Sequence, residues 1–594
     1  MQRSVRLGFG TGFVCVILPL FAAIGMSARF APDWHVGGLT NPDSYMRLVR
    51  LRDMLDSGTT VFAAARDGSG HGTILHWSHL LDSLLCVLAL PFGVLLNQSD
   101  ALYAAALLFG PLTIAALGFA TAWAAAPFAD RKWLFLGALL IPLSPAIVSY
   151  GMAGVVHHHV VIAVAAMACW GWAARLIEGH AAPTAGIALG AWAGAGVWFT
   201  PETVPLTMMA FGALWLAWIV YPARGDLPRA IGLTGLSFAL VTLLALLADP
   251  PAAGIAAPEI DRLSILFAGL ALAAAATGAG LWAVHSLVHD MRGRAIAACA
   301  IGFACCGIWA VTFRGAIFRS NMAVDEAQST AFFSHINEMQ PVGDVLGGLH
   351  FLLTGALALL LTITLAVRRR ALFPAYAAFC LTGLIVVGWT HVRFAAYPEA
   401  AGAIALPVAL TMLNQATLNW HQIGQSFTRL AAILLFIQVP YLGQLPVVAR
   451  AAPMAVVPAC KIADGVALLA PHAGAVVLAD VNDTPELLYK TGVRTVGSLY
   501  HRGLPAFLRL RAAWRTPPSE TVPPEIDAAE VSLVLACGTH ARSPVVEDLK
   551  TMTLLDQVRT GQPPSWLRQI DENPISGHVL YEVTREAAKP TGEV

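Results

Sequence analysis

The sequence has little charge. Asp, Glu, Lys and Arg make up 12% of its 594 residues, and the formal net charge is zero. A chain without a basic excess lacks the electrostatic footprint of a nucleic-acid-binding protein. Hydrophobic residues make up 57% of the chain, and the mean hydropathy is +0.66. Several apolar runs exceed the roughly 18 residues that a membrane helix needs. The composition therefore predicts a polytopic α-helical membrane protein and excludes a soluble fold.

Internal repeats are also lacking. Many transporters consist of related halves and carry ionisable groups near the middle of their spans. Here the ionisable residues collect at the ends of the apolar runs instead. The pattern favours an enzyme over a non-catalytic lipid-glycan transporter or flippase, which stays the alternative from another class.

Cysteine is scarce outside the apolar runs. Of nine cysteines, only Cys460 and Cys537 lie in the polar C-terminal part. Buried in apolar runs, the other cysteines behave as small hydrophobes. In an external, oxidising compartment the two polar-region thiols could form a disulfide.

Lys and Arg in the short loops set the orientation of the spans. The basic loops fall on one side only if the run 80–97, which contains Asp82 and Pro91, does not cross; we interpret it as re-entrant or interfacial. About 13 transmembrane helices then remain, with a cytoplasmic N-terminus. The predicted spans are 8–28, 101–126, 133–150, 156–176, 182–199, 203–221, 228–248, 263–287, 294–312, 346–367, 371–389, 395–413 and 428–446.

This topology places the loops that carry the candidate catalytic and binding residues on the opposite, periplasmic face. We expect residues 1–446 to form a transmembrane domain with catalytic external loops at 29–100, 151–159 and 313–345. From residue 447 hydropathy falls, and apolar runs at 475–479, 494–498, 531–536 and 578–583 alternate with helical stretches. Residues 447–594 are therefore predicted to form a small periplasmic α/β domain with a mainly parallel sheet.

A charged segment, Asn41 to Asp53, follows the first span. Pro42 and Asp43 predict a helix start. Leu48 and Leu51 face one way while arginines spread round the rest, as in a helix on a membrane surface. Our hypothesis is that Asp43 is a catalytic carboxylate and that this helix covers an anionic lipid-phosphate site. The alternative is a solvated amphipathic linker.

Three consecutive histidines, His157 to His159, stand at the outer mouth of a predicted span. Imidazoles can ligate a metal, accept a proton or donate to phosphate oxygens. On a helix successive side chains point about 100° apart, so we expect His157 to pair with a ligand elsewhere rather than all three to share one metal. The alternative is a set of interfacial histidines bonded to carbonyls or water.

Other external charges fit an anionic substrate. Arg314, Arg319 and Glu338 share one long loop, which suits an anion together with a metal or an acceptor group. Glu202 begins a helix after Pro201; the alternative to substrate binding here is capping of that helix.

Arg393 lies at the edge of a span, where a charge is costly unless it faces a cavity or a partner, so a functional role is the favoured interpretation. The competing interpretation is that its side chain snorkels to the interface.

Taken together these motifs resemble the catalytic subunits of oligosaccharyltransferases, membrane enzymes of GT-C fold that use polyprenyl-linked sugar donors. Asp43-Ser44-Tyr45-Met46-Arg47 resembles the family's first acidic motif, and Gly154 to His159 falls on its second. His335-Ile336-Asn337-Glu338 resembles the external-loop motif that carries a functional glutamate. Val392-Arg393-Phe394 matches the arginine that contacts the donor pyrophosphate.

The resemblance implies roles for these residues. Asp43 and Glu338 would be catalytic, and a divalent metal, Mg or Mn, would be held by Asp43, His157, His159 and Glu338. Substrate binding would fall to Arg393 and Tyr45, with Arg314, Arg319 and Glu202 as further candidates.

Two departures from the family pattern matter. His157 replaces a metal-binding aspartate, although His159 resembles the histidine of an Asp-x-His form, and imidazole suits borderline metals better than Mg²⁺. The Trp-Trp-Asp motif that reads the acceptor sequon is missing, because 479–485 reads Ala-Asp-Val-Asn-Asp-Thr-Pro. The acceptor is therefore left open among glycan, lipid and protein.

The expected function is transfer of a glycan from a polyprenyl phosphate or diphosphate carrier to an acceptor on the periplasmic face of a bacterial inner membrane. The alternative enzyme is a single-sugar transferase that modifies lipid A or a surface polysaccharide. An inactive homologue is the remaining alternative, because of His157.

Overall fold

The computed structural model describes residues 7–30, 38–318, 326–334, 336–438, 462–538, 545–546 and 549–585. The chain divides into two compact units. The first unit comprises residues 1–40, 77–321 and 338–449, and the second comprises 41–76, 322–337 and 450–594. The predicted domain boundary at 447 lies outside the described residues.

The first unit is helical. Its helices are α1 (Phe9–Phe30), α3 (Leu80–Ala89), α4 (Gln98–Ala125), α5 (Leu134–Leu140), α6 (Pro145–Val148), α7 (His159–Ile177), α8 (Ala185–Phe199), α9 (Val204–Val220), α10 (Leu227–Ala248), α11 (Ile265–Val284), α12 (Met291–Thr312), α13 (Arg314–Phe318), α15 (Val345–Arg369), α16 (Leu372–Thr390), α17 (Ala396–Ala416) and α18 (Gln422–Gln438). Across the described residues, ten helices are long and apolar enough to cross a membrane. The protein is thus a largely helical membrane protein.

Two of the other three predicted spans are shorter or broken. α8, in the run 182–199, is an apolar helix that falls below the length of the ten. α18 covers residues 428–438 of the third predicted span, and residues 439–446 lie outside the described part of the chain. The run 133–150 is split into α5 and α6 by a 3-10 turn at Ile141–Leu143, and Pro145 opens α6. Proline has no N–H to continue a helical ladder, so the prolines of this run explain the break.

The run 80–97 forms α3, of 10 residues, followed by a 3-10 turn at Phe92–Val94. A helix of that length rises about 15 Å, half of a hydrocarbon core of about 30 Å. Its length agrees with the prediction that this run does not cross.

Small residues let α8 and α10 pack closely. A Cβ added to Gly190 would lie 2.2 Å from the carbonyl oxygen of Thr234, and one added to Gly186 would lie 2.4 Å from that of Ala230. Membrane helices use such residues to bring their backbones together.

The second unit contains a five-stranded sheet of order β4-β3-β5-β7-β6. Its elements are α2 (Pro42–Ser57), β1 (Ala63–Ala64), β2 (Thr73–Ile74), α14 (Glu326–Phe333), α19 (Ile462–Leu469), β3 (Val476–Leu478), α20 (Thr484–Lys490), β4 (Arg494–Thr495), α21 (Leu504–Trp514), α22 (Pro524–Ala528), β5 (Leu533–Cys537), α23 (Leu554–Arg559), β6 (Leu567–Asn573) and β7 (His578–Val583). The four predicted strand runs correspond to β3, β4, β5 and β7.

The sheet is mixed rather than mainly parallel. β3 pairs in parallel with β4 and β5, whereas β7 pairs antiparallel with β5 and β6. The sequence analysis missed β6, whose residues Leu567 to Asn573 are largely polar, and with it the hairpin to β7. Cys537, at the end of β5, is disulfide-bonded, and Cys460 lies outside the described residues.

Residues 41–76 belong to the second unit through specific contacts. Asp67 is fully buried, and its carboxylate accepts hydrogen bonds from Thr495 Oγ1 at 3.0 Å and from the Ser498 hydroxyl. The Arg66 guanidinium donates to the carbonyls of Thr491, at 2.6 Å, and Leu488. This loop is therefore part of the fold that contains the C-terminal sheet.

Candidate functional site

The helix α2 begins as its sequence predicts. The Asn41 side chain accepts a hydrogen bond from the backbone N–H of Asp43 at 2.8 Å, and Pro42 is the first helical residue. Such a cap satisfies a donor that the first helical turn leaves open. At the other end Gly58, with φ of +66°, terminates the helix in a left-handed conformation.

Asp43 has a partner from the C-terminal part of the same unit. The Tyr500 hydroxyl donates to Asp43 Oδ1 at 2.9 Å, and Tyr500 is 5% exposed. Burial, together with the neighbouring Asp43 charge, raises the pKa of Tyr500 well above its usual value. Tyr500 therefore keeps its hydroxyl proton and donates a hydrogen bond to this carboxylate.

The alternative interpretation of α2 as a solvated amphipathic linker is wrong, because two of its arginines are not solvated. Arg47 and Arg50 are buried along with Leu48 and Leu51. Tyr45 is 2% exposed, and its ring lies 5.8 Å from that of Tyr489. α2 is thus buried on several sides, and the part of Tyr45 in substrate binding stays a prediction.

The three histidines meet in the first unit. Their rings lie 4.4 to 4.7 Å apart, all three side chains are buried, and one nitrogen from each falls within 4.8 Å of the others. The expectation that helical spacing would separate them is wrong, because His157 and His158 precede α7, which begins at His159. In a non-helical segment the 100° rule does not apply.

Gly154 lies in the turn that precedes these histidines. It has φ of +78°, its carbonyl accepts from Thr40 N at 3.1 Å, and its own N–H donates to Leu107 O at 3.1 Å. An L side chain is rarely found in that backbone conformation. A Cβ here would also lie 3.0 Å from Thr40 N. The turn therefore depends on glycine.

Arg393 stands at the centre of a cluster of polar side chains. Its guanidinium contacts Glu202 Oε1 at 2.8 Å and Glu338 Oε1 at 3.5 Å, and its Nε donates to His159 Nε2 at 3.2 Å. The side chain is 14% exposed. It lies on the 3-10 turn Val392–Ala395 that leads into α17. Arg393 does not snorkel to water, since two carboxylates and an imidazole hold it.

The two carboxylates reach Arg393 from different elements. Glu202 lies on the 3-10 turn Pro201–Thr203 before α9, where Thr200 Oγ1 accepts from its backbone N–H at 3.4 Å. Its carboxylate therefore pairs with Arg393 instead of capping. Glu338 accepts a hydrogen bond from the Tyr150 hydroxyl at 2.9 Å, and the Tyr150 ring lies 4.5 Å from that of His159.

Glu202, Glu338, Arg393, His157 and His159 were predicted as site residues, and the first unit brings them together. Tyr150 and Met339, whose Sδ lies 3.2 Å from Arg393 Nη1, are contacts that sequence reasoning missed. Met339 directly follows the motif that ends at Glu338, and Tyr150 lies four positions before the one that begins at Gly154. Nearness to these motifs is the signal that could have found them. Such a cluster can bind an anion and can hold or move a proton.

The sequence analysis also predicted Arg314, Arg319, Asp43 and Tyr45 as site residues. Arg314 is exposed at the start of α13, and Arg319 lies outside the described residues. Asp43 and Tyr45 belong to the second unit. The shared metal set of Asp43, His157, His159 and Glu338 stays a prediction.

A second buried ionic group also escaped the sequence analysis. Asp249, directly after α10, accepts from His79 N and contacts His79 Nδ1, both at 2.8 Å, and also pairs with Arg262 and with Trp198 Nε1 at 3.1 Å. Burial opposes the charge of Asp249, but the hydrogen bonds of His79 and the charge of Arg262 outweigh it and lower its pKa. This group fastens the loop 249–264 to the start of α3.

Comparison with solved structures identifies the fold. The apo oligosaccharyltransferase of Archaeoglobus fulgidus matches with a TM-score of 0.64 and 13% identity, over 89% of this chain and 69% of that one. The same archaeal enzyme with zinc and sulfate matches at 0.62, 14% identity, 88% and 68%. The form with an inhibitory peptide and a dolichol-phosphate matches at 0.61, 13% identity, 89% and 69%. The chain thus has an oligosaccharyltransferase-like GT-C fold.

The sequence itself matches no protein-family model and no curated protein. At this level of identity the likeness extends to the fold alone.

Proposed function

We propose that the protein is a membrane glycosyltransferase that moves a glycan from a polyprenyl phosphate or diphosphate carrier to an acceptor on the periplasmic face. The observation that carries the proposal is Arg393, held between Glu202 and Glu338 and touching His159 at the start of a membrane helix. A guanidinium so oriented suits a phosphate leaving group.

The chemistry is a displacement at the anomeric carbon of the donor sugar. A bond forms from the acceptor atom to that carbon while the bond to the carrier phosphate oxygen breaks, and the electron pair leaves on the phosphate. Arg393 stabilises the charge that develops there. The acceptor proton passes to a carboxylate, for which we propose Asp43, supported by Glu338. A divalent metal at the predicted ligands would add positive charge to the phosphate oxygens.

An apolar cavity of about 160 Å³ supports a lipid carrier. It lies among α4, α7, α9, α15, α16 and α17, and its lining includes Tyr397, one turn along the chain from Arg393. Its walls are almost entirely apolar, as an isoprenoid chain requires. The archaeal structure that contains a dolichol-phosphate is in line with such a carrier.

The proposed acceptor is a glycan, a lipid or a protein. An archaeal structure of this fold was solved tethered to a peptide with an NVT sequon. This chain lacks the Trp-Trp-Asp motif, which favours the second candidate, a single-sugar transferase acting on lipid A or a surface polysaccharide. The proposed location is the bacterial inner membrane, and the positive-inside pattern supports the orientation that puts the C-terminal domain in the periplasm.

The test compares a deletion strain complemented with wild type, Asp43→Asn, Glu338→Gln or the control Glu525→Gln, which changes an exposed carboxylate on α22. Mass spectrometry of glycans and lipids reports donor and acceptor together. We expect both site variants to lose most transfer and the control to keep it. Full transfer by both site variants overturns the proposed function. Activity only with polyprenyl-monophosphate sugars selects the single-sugar transferase.

A further inference from the structure

Glu399 is a buried acidic residue inside a membrane helix. It lies in the first turn of α17, six residues after Arg393, and its exposure is 0%. An ionisable side chain in a membrane segment is costly, so a functional role is the default expectation. The displacement proposed above does not use Glu399, and its role therefore needs an explanation of its own.

The carboxyl group of Glu399 binds the start of another helix. Its Oε2 accepts a hydrogen bond from the backbone N–H of Ala146 at 3.0 Å, across 253 positions in the chain. Ala146 is the second residue of α6, so its N–H is one of those that a helix start leaves without an acceptor in the helix itself. A side chain of α17 thus caps α6.

The residue that would normally provide this cap does not do so. Ser144 directly precedes α6, and serine is a favoured cap because its side-chain oxygen accepts such an N–H. Here the Ser144 side chain makes no capping hydrogen bond, and its hydroxyl donates to the carbonyl of Leu140 at 3.0 Å. Glu399 therefore supplies the acceptor that the local sequence leaves out.

Hydrogen bonds lead from α6 to Tyr150. The carbonyl of Ala146 accepts from the Ser149 hydroxyl at 3.0 Å. The carbonyl of Ile147 accepts from the backbone N–H of Tyr150 at 3.1 Å. The Tyr150 hydroxyl donates to Glu338 Oε2 at 2.9 Å. The position of this hydroxyl therefore depends on where α6 is held.

These contacts begin and end on one stretch of chain. Arg393, on the turn before α17, pairs with Glu338 at 3.5 Å, and Glu338 accepts from Tyr150. Tyr150 follows α6, which Glu399 binds from the first turn of α17. Since the set is closed, Tyr150 is fixed both through its backbone and through its hydroxyl. Side chains at a reacting centre need such support from the residues behind them.

We propose that Glu399 is a positioning residue, which caps α6 and thereby holds the Tyr150 hydroxyl against Glu338. Its effect on glycosyl transfer rests on the proposed function, whereas the placement of Tyr150 does not. If Glu399 served only the packing of α17, its loss would act independently of Tyr150.

The experiment compares Glu399→Leu, Glu399→Gln, Tyr150→Phe and the double variant Glu399→Leu/Tyr150→Phe, as full-length proteins in detergent. Leucine removes the acceptor, whereas glutamine keeps one carbonyl oxygen, and only Oε2 of Glu399 has a hydrogen-bond partner among the described residues. The control is Thr242→Val, a buried polar-to-apolar change on α10.

Two measurements without substrate report the placement. Hydrogen–deuterium exchange of the peptide 141–151 should be at least about fivefold faster in Glu399→Leu and close to the wild-type rate in Glu399→Gln and in the control. In thermal melts, the double variant should lose less melting temperature than the two single variants lose together, because both changes break the same set of contacts.

Steady-state kinetics with a polyprenyl-linked donor report the effect on transfer. We expect Glu399→Leu to lower kcat about tenfold and to change the donor KM by less than about twofold, since a misplaced group slows the reaction without weakening donor binding. Adding Glu399→Leu to Tyr150→Phe should lower kcat by less than about a further twofold. Glu399→Gln and the control should keep at least about half of the wild-type kcat.

Size exclusion establishes that each variant is folded, and Glu399→Met takes the place of Glu399→Leu if the latter is not. Unchanged exchange of 141–151 in the folded variant overturns the proposal, as do additive losses in melting temperature. A Glu399→Gln variant as impaired as Glu399→Leu also overturns it. Faster exchange and coupled melting in a protein that transfers no glycan support the placement of Tyr150 by Glu399 and contradict the proposed function.

Discussion

Tyr500 donates its hydroxyl hydrogen to Oδ1 of Asp43 across 2.9 Å, although the two residues lie 457 positions apart in the chain. The proposed catalytic carboxylate is therefore held by a side chain from the C-terminal part of the second unit. A hydrogen bond to a carboxylate stabilises its charged form and fixes its orientation.

Tyr500→Phe removes this donor while keeping the ring. If Asp43 accepts the acceptor proton, we expect kcat to fall about tenfold, because general-base catalysis depends on position and charge. The acid limb of the pH–rate profile should move to higher pH, since the charged carboxylate loses a stabilising partner. The control is Tyr581→Phe, on the buried strand β7. An unchanged pH profile would show that Tyr500 only fills space.

Arg393→Lys tests the anion site. Lysine keeps the positive charge but lacks the planar fork that now reaches Glu202, Glu338 and His159. We expect kcat to fall about a hundredfold when measured with a polyprenyl-linked donor. Arg568→Lys, at an exposed position of β6, is the matched control. Wild-type turnover in Arg393→Lys would remove this residue from the mechanism.

Gly154→Ala tests the turn before the histidines. The left-handed backbone conformation costs an L residue roughly 1 to 2 kcal/mol, to which the close approach of Thr40 adds. We expect a lower melting temperature in thermal melts of the full chain in detergent. Gly302→Ala is the control, because its added Cβ meets nothing within 4 Å on α12. Alanine favours a helix over glycine by about 1 kcal/mol, so this change should be neutral or stabilising.

The buried carboxyl group of Asp67 is expected to make the folding stability depend on pH. Burial raises the pKa of Asp67, despite the hydrogen bonds that its carboxylate accepts from Ser498 and Thr495. In the unfolded chain the pKa of an aspartate is about 3.9. Above that pH the unfolded state binds fewer protons than the folded state, so folding stability falls as the pH rises towards the raised value.

Asp67→Asn removes this titration. We expect the variant to gain melting temperature relative to wild type as the pH rises from about 4 towards neutrality. The measurement is a series of thermal melts of the full chain in detergent at several pH values. A constant difference across the series would contradict the buried-charge explanation.

Much of the fold follows from local sequence. Apolar runs give the long helices, Asn41-Pro42-Asp43 gives the start of α2, and alternating apolar runs give four strands of the sheet. The polar strand β6 carries no such pattern, so it was missed. In the run 133–150 the internal prolines break the continuous helix that hydropathy alone predicts.

The candidate site was harder to predict because its contacts are distant in sequence. The residue types at Glu202, Glu338 and Arg393 indicated function, but their mutual pairing depends on how separate helices pack. The convergence of His157 with His158 depends on where α7 begins, which the apolar run does not mark. The buried ionic group at Asp249 was not predicted because its partners, His79 and Arg262, belong to no recognisable motif.

The assignment of residues 41–76 to the unit that contains the C-terminal sheet also sets the timing of biosynthesis. Thr495 follows Asp67 by 428 residues. At translation rates of about 5 to 20 residues per second, the segment emerges roughly 20 to 90 s before its partner. Until then Asp67 and the arginines of α2 stay without the surroundings in which they are finally buried. Residues 41–76 therefore complete their fold only after the last membrane helix has been made.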